Sequence, residues 1–205
     1  MIDFFLNSYK NVSTIQIAGE FLAFILGILS VWFAKKENIW VYPTGLIATI
    51  ITTYLLYISS YLGDMMLNGY FSIMSIYGWY NWSKVDQDKA FVYKITWCKK
   101  SELLYGVIGC IVGWSIIYFM LLEFTNSDTP ILDAMVSATA LTAMWWMAAR
   151  KVENWLAWIL SNIVAIPLNF YKGFMLFTAM YVLFLAMAWA GYRTWKRQAM
   201  ELNKT

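Results

Sequence analysis

The chain has 205 residues, 61% of them hydrophobic and 19% aromatic, with only 13% charged, a net charge of +3 and a mean hydropathy of +0.56. A soluble domain is close to half apolar and a quarter charged, so this composition excludes a water-soluble fold and makes a lipid bilayer the solvent. The absence of any histidine excludes Ser-His-Asp hydrolysis, an intramembrane Ser-His protease, His-ligated haem and His-containing zinc sites.

The amino terminus, Met1-Ile2-Asp3-Phe4-Phe5, has neither a basic n-region nor a small-residue cleavage site, so no cleaved signal peptide is expected. A helix needs about 20 apolar residues to cross the hydrocarbon core, and seven segments are predicted to do so. The first, Ile15–Phe33, carries Gln16 and Glu20 one turn apart. Glu20 is the only carboxylate well inside an apolar run. An acid there is a candidate proton or sodium site, a counter-charge to a cationic substrate, or a neutral structural acceptor.

The second span, Ile39–Tyr61, has Pro43 near its start, and the third, Met65–Trp82, places Asn68, Ser72, Ser75, Trp79 and Trp82 on one helical face. A basic loop containing Cys98 leads to the fourth span, Leu103–Leu122, whose Cys110 and Ser115 point to no site. Both cysteines read as reduced, unpaired thiols. The fifth span, Ile131–Ala149, has Asp133 near its outer end, where a solvated cap is one reading. The sixth, Val152–Tyr171, carries Trp155, Trp158, Asn162, Ala165 and Asn169 at spacings of three and four, with Pro167 near its end. The seventh, Phe174–Tyr192, carries Thr178, Tyr181, Leu185, Ala188 and Tyr192.

Such polar or small stripes line a cavity or serve helix packing, since small residues permit close approach and Asn, Ser and Thr bond across helices. Two Asn on one face with two Trp favour a lined site, because a buried carboxamide without a partner is costly. Trp82, Trp97 and Trp195, near helix ends, are expected in the interfacial belt, and only one of Trp145 and Trp146 is expected to face the core. No Lys or Arg lies mid-span, so a phosphate or carboxylate substrate lacks its usual donor. The seventh span has no lysine for a retinal Schiff base. No cofactor, metal or nucleic-acid partner is expected. Without histidine or paired interior carboxylates, an intramembrane enzyme is disfavoured.

Seven crossings put the termini on opposite sides. One side holds only Lys10 and Lys172 of the 15 basic residues; the other holds 13, including Lys35, Lys36, Lys84, Lys89, Arg150, Lys151, Arg193 and Lys204. Positive charge stays in the cytoplasm, which predicts an external amino terminus and a cytoplasmic carboxyl terminus.

The chain also repeats itself. Ala34-Lys35-Lys36 with Trp40 returns as Ala149-Arg150-Lys151 with Trp155, an offset of 115 (155 − 40). Gly78, Trp82 and Lys84 return as Gly191, Trp195 and Arg197, an offset of 113 (195 − 82). This reading removes two residues between the blocks and sets Pro43 opposite Trp158 and Ile47 opposite Asn162. The expected fold is an all-α membrane protein with a three-helix unit over residues 15–82, a connecting stretch over 83–130 with a linker helix, and a second unit over 131–195. One extra span lets both units run in the same direction, as parallel repeats of the kind SWEET transporters use.

At Ser75-Ile76-Tyr77-Gly78-Trp79-Tyr80-Asn81-Trp82, and at Val152-Glu153-Asn154-Trp155-Leu156-Ala157-Trp158 with Asn162 one turn beyond, the sequence resembles the PnuC family of bacterial nicotinamide riboside transporters. The resemblance covers nearly the whole chain, whose amino-terminal segment is short for that family. It implies facilitated diffusion of unphosphorylated nicotinamide riboside across the bacterial inner membrane, driven by later phosphorylation, and a homotrimer with one pathway per protomer. It carries substrate binding to Trp155, Trp158 and Asn162. Helical facing alone adds Asn68, Ser72 and Trp79, with Glu20 and Gln16 as weaker candidates. The residues suit that ligand, since aromatic faces attract a flat cation and Asn serves a carboxamide or hydroxyls. Thiamine or riboflavin on the same scaffold is the alternative cargo, and a seven-helix receptor or assembly protein the alternative class.

Overall fold

The computed structural model describes residues 13–59, 61–84, 94–125 and 127–202; Lys10, Lys89 and Lys204 of the charge count lie outside them. Among the described residues seven helices run in chain order: α1 (Thr14–Lys35), α2 (Val41–Ile58), α3 (Leu62–Ser83), α4 (Lys100–Phe124), α5 (Pro130–Ala148), α6 (Glu153–Tyr171) and α7 (Met175–Leu202). Four of them, α1, α2, α4 and α5, are long and apolar enough to cross a membrane by length and composition. Of the less apolar α3, α6 and α7, α3 carries buried Ser75 and Asn81, and α6 buried Asn154, Ser161 and Asn162.

Local chemistry sets the helix ends. Ser13 and Gln16 form a reciprocal capping box at the start of α1, and Pro130 opens α5, where a missing N–H costs nothing. Pro43 falls in the first turn of α2, so it need not bend that helix, whereas Pro167 lies inside α6. α1 and α5 close alike. Asn38 N–H donates back to Phe33 O and Lys151 N–H to Trp146 O, each at 2.9 Å. The residues between, Glu37 and Arg150, hold left-handed φ values of 55° and 54°. Glycine normally takes that position.

α1 packs on α2, α2 on α3, α3 on α5, α5 on α6, α6 on α7, and α7 returns to α1, which closes a ring of six helices. Among the described residues α4 packs against α5 only. Gly106 makes that possible, since the ring of Trp146 occupies the space its side chain would need. Trp145 packs against the core clusters, so both indoles of that pair are covered, Trp146 by α4.

Features of the first three helices recur 113 positions later. The ends of α1 and α5 (Lys35, Ala148), the ends of α2 and α6 (Ile58, Tyr171), and the starts of α3 and α7 (Leu62, Met175) all keep this separation. So do Glu37 and Arg150. The 115 offset matched to Trp40 and Trp155 is therefore corrected: Tyr42 holds the place of Trp155. Gly45 and Thr49, rather than Pro43 and Ile47, hold those of Trp158 and Asn162.

The tightest packing lies at the end of the bundle that carries Lys35, Arg150 and Arg193, called here the basic end. Trp82 and Trp195 are fully buried there, with Tyr42 and Trp155 beside them. They are not belt residues, as their nearness to helix ends had implied. By contrast, the indoles of Trp32, Trp40, Trp79 and Trp189 are exposed.

Candidate functional site

α6 runs from the basic end toward the far end, so Trp155, Trp158 and Asn162 follow one another along it; Asn162 lies roughly 10 Å beyond Trp155 along the axis. Trp155 is 1% exposed, seated on Gly191 of α7, with its ring edge-on to Trp195 at 5.6 Å. It belongs to the packed floor. Trp158 faces across the ring and meets Phe71 of α3 at 6.2 Å between centroids. Since α3 and α6 are not neighbours in the ring, these two side chains bridge its interior.

Asn162 is 4% exposed; its carboxamide makes no hydrogen bond to another described residue, and its polar atoms are not among those both sealed from solvent and unpartnered, which on α6 are Asn154 Oδ1 and Trp155 Nε1. Its neighbours differ in this respect: Ser161 Oγ donates to Val136 O of α5 at 3.0 Å, and Asn169 Nδ2 to Ala165 O of its own helix at 2.8 Å. Asn162 is thus a side chain of α6 whose hydrogen-bonding groups remain open to a ligand.

On α3, Ser72 Oγ donates to Thr49 Oγ1 of α2 at 2.8 Å and to Asn68 O at 3.0 Å, and Asn68 Nδ2 donates to Asp64 O at 3.0 Å. Both side chains are half-buried and occupied by protein contacts. Trp79 is 40% exposed on the outer side of α3. Gln16 is used in the α1 cap, and Glu20 lies on an exposed face of α1. α1 borders α2 and α7, so neither residue joins the α6 group. The structure brings Trp158 onto Phe71, sets Asn162 one turn farther along α6 and Trp155 one turn before, and leaves Trp79, Glu20 and Gln16 apart.

Residues absent from the sequence-based set complete the surroundings. Phe71 is apolar and left no mark on a search for polar stripes. Tyr70 OH donates to Leu141 O at 3.2 Å, joining α3 to α5. At the far end, Asp133 is no simple solvated cap: Lys172 Nζ lies 2.6 and 2.8 Å from its two oxygens, and Ser127 and Thr129 donate to it as well. At the basic end, burial pushes the Glu37 carboxyl above its usual range while the Arg150 guanidinium opposes the rise. Burial likewise lowers Arg150, against the pull of Glu37 and Tyr42.

Comparisons with known proteins agree with this architecture. The sequence profile described as nicotinamide mononucleotide transporter matches residues 17–197. The chain is 25% identical to the riboflavin/roseoflavin transporter RibM of Streptomyces davaonensis, over 83% of this chain and 81% of that one. It is 23% identical to the nicotinamide riboside transporter PnuC of Escherichia coli (93% and 88% covered) and 28% identical to PnuC of Neisseria mucosa (86% and 71% covered). A solved structure described as the vitamin B3 transporter PnuC superposes with a TM-score of 0.71 at 26% identity, covering 98% of this chain and 88% of the other. With its ring of helices, its motifs and a profile match spanning most of its length, the chain belongs to the nicotinamide mononucleotide transporter family of multi-pass membrane transporters.

Proposed function

We propose that the protein imports nicotinamide riboside by facilitated diffusion. The observation that carries this reading is the carboxamide of Asn162, bonded to no described residue and one turn above the Trp158–Phe71 contact. An indole face attracts the pyridinium of the ligand, and Asn162 donates to and accepts from its carboxamide or ribose hydroxyls. PnuC relatives from two organisms support the cargo. Asn68 and Ser72 are proposed as secondary contacts from α3. Gln16, Glu20 and Trp79 have no part in the proposed contact, and Trp155 acts as its floor.

Two parallel three-helix units, α1–α3 and α5–α7, are proposed to rock against each other about the site, with α4 as linker. The cyclic order of packing and the constant 113-residue separation support this arrangement. The charge count supports an external amino terminus and a cytoplasmic basic end. Placement in the bacterial inner membrane and a homotrimeric state rest on the family resemblance. With Glu20 on an outer face, no ion gradient enters the scheme.

Riboflavin is the second reading, supported by the similarity to RibM. Uptake of labelled nicotinamide riboside into proteoliposomes, competed with riboflavin, thiamine and nicotinamide mononucleotide, separates the two. The expected result is uptake blocked by unlabelled nicotinamide riboside and not by the mononucleotide, with no loss when proton and sodium gradients are absent. Uptake of riboflavin in place of nicotinamide riboside overturns the cargo, and collapse without a gradient overturns the facilitated mechanism.

A further inference from the structure

We propose that Trp82 and Trp195 form the gate at the basic end of the pathway, a latch in two halves that must open together for cargo to leave on that side. The inference rests on the transport reading above, but it concerns residues outside the cargo site. Trp82 is on α3 and Trp195 on α7, helices that are not neighbours in the ring. Their rings nevertheless meet, 5.8 Å apart and tilted by 45°, with neither exposed. The pair therefore spans the bundle and occludes it.

Each indole N–H reaches into the opposite unit. Trp82 Nε1 donates to Met147 O near the end of α5 at 3.3 Å, and Trp195 Nε1 donates to Ala34 O near the end of α1 at 3.0 Å. Carbonyls in the last turn of a helix lack their usual intrahelical partner and have capacity to accept. Donors and acceptors are related by the same separation of 113 residues, so the two bonds are reciprocal.

Each tryptophan is also supported within its own unit. Tyr42 lies edge-on to Trp82 at 5.0 Å and Trp155 edge-on to Trp195 at 5.6 Å. Tyr42 occupies the space beside Gly78, and Trp155 that beside Gly191, where a larger residue would meet the ring. Rocking one unit against the other leaves these supports intact. It parts the two N–H···O bonds and the Trp82–Trp195 contact. The Arg150 guanidinium, 4.3 Å over the Trp82 ring, adds a further contact across the units on one half only.

The test uses W82F and W195F, which keep an aromatic ring and delete the donor, in the full chain with both native cysteines replaced (C98S, C110S). Reporter cysteines are introduced one at a time: A148C beside the latch and A134C at the far end, both positions being 0% exposed. Labelling by a membrane-impermeant maleimide is followed in purified protein without substrate. Each phenylalanine variant is expected to label several-fold faster at A148C and at the parental rate at A134C. R150Q, which keeps both indoles, gives a smaller change of the same kind and serves if a tryptophan variant does not fold. Parental labelling at A148C overturns the latch whatever happens to melting temperature. Equal acceleration at both reporters also overturns it, because general loosening would then explain the effect. Labelling requires no cargo, so failure of the latch is distinguishable from failure of the nicotinamide riboside assignment.

Discussion

Lys172, the residue just past the end of α6, closes on both carboxylate oxygens of Asp133 in the first turn of α5, at 2.6 and 2.8 Å. The pair ties the neighbouring helices α5 and α6 at the far end, its members 39 residues apart in sequence. Its side chains are about a quarter exposed, which discounts its strength toward that of a surface pair. A thermal double-mutant cycle on D133N, K172Q and the double variant in detergent is expected to give a coupling of about 1 kcal/mol. Additive losses would remove the pair from any account of stability.

Substitutions at the cargo site are expected to separate by chemistry. N162A removes the carboxamide and should weaken nicotinamide riboside binding roughly 10- to 100-fold by titration calorimetry, equivalent to about 1.4–2.8 kcal/mol. W158A should weaken it about 10-fold, while W158F, which keeps an aromatic face, should recover most of the loss. E20Q should bind and transport as the parent does. A parental N162A, in folded protein, would move the site elsewhere.

The glycines should divide by what their neighbours leave free. G191A forces a methyl against Trp155, and G78A forces one against Tyr42; overpacking of this kind costs about 1–3 kcal/mol. Gly109, with nothing within 4 Å of where a Cβ would stand, should accept alanine with no loss of melting temperature. Comparable melting for G191A and G109A would show that the seats beneath the aromatic rings are loose.

Cys98 should react slowly with iodoacetamide at neutral pH. Burial raises its thiol well above the ordinary range, and the nearby Glu153 carboxylate, which accepts from the Cys98 backbone N–H at 3.0 Å, raises it further. The thiolate is the reacting species, so the rate should still be climbing at pH 9. E153Q removes a negative charge that disfavours the thiolate and should therefore lower the thiol's pKa and speed alkylation several-fold. A slower E153Q would reverse the sign assigned to Glu153.

Composition and helical period carried the bilayer and the seven helices of the described residues, because each depends on local pattern. The role of Trp82 and Trp195 did not follow from pattern. A tryptophan near a helix end reads as interfacial, and only the opposing carbonyls of Met147 and Ala34 make these two central. The register of the repeat misled for a related reason. Matching Ala34-Lys35-Lys36 to Ala149-Arg150-Lys151 aligned side-chain types, whereas the structure aligns helix ends and the left-handed residues Glu37 and Arg150. Phe71 was invisible because its importance comes from what it faces. Glu20 drew attention as a lone acid, yet a polar stripe on one helix does not reveal which neighbours flank it.

The reciprocal bonds have a consequence for ancestry and assembly. On the two-unit reading, each half contains one indole donor and one helix-end acceptor, so either half is self-complementary in the manner of a symmetric dimer. Two copies of the first half could join Trp82 to Ala34 twice over. The corners argue against such pairing in the present chain. A dimer of first halves would bring Glu37 toward Glu37, and a dimer of second halves Arg150 toward Arg150, whereas the joined chain sets Glu37 and Arg150 in mutual attraction. Like charges at a shared corner penalise the wrong partner. Opposite charges at one equivalent position thus let each half distinguish its sibling from a copy of itself.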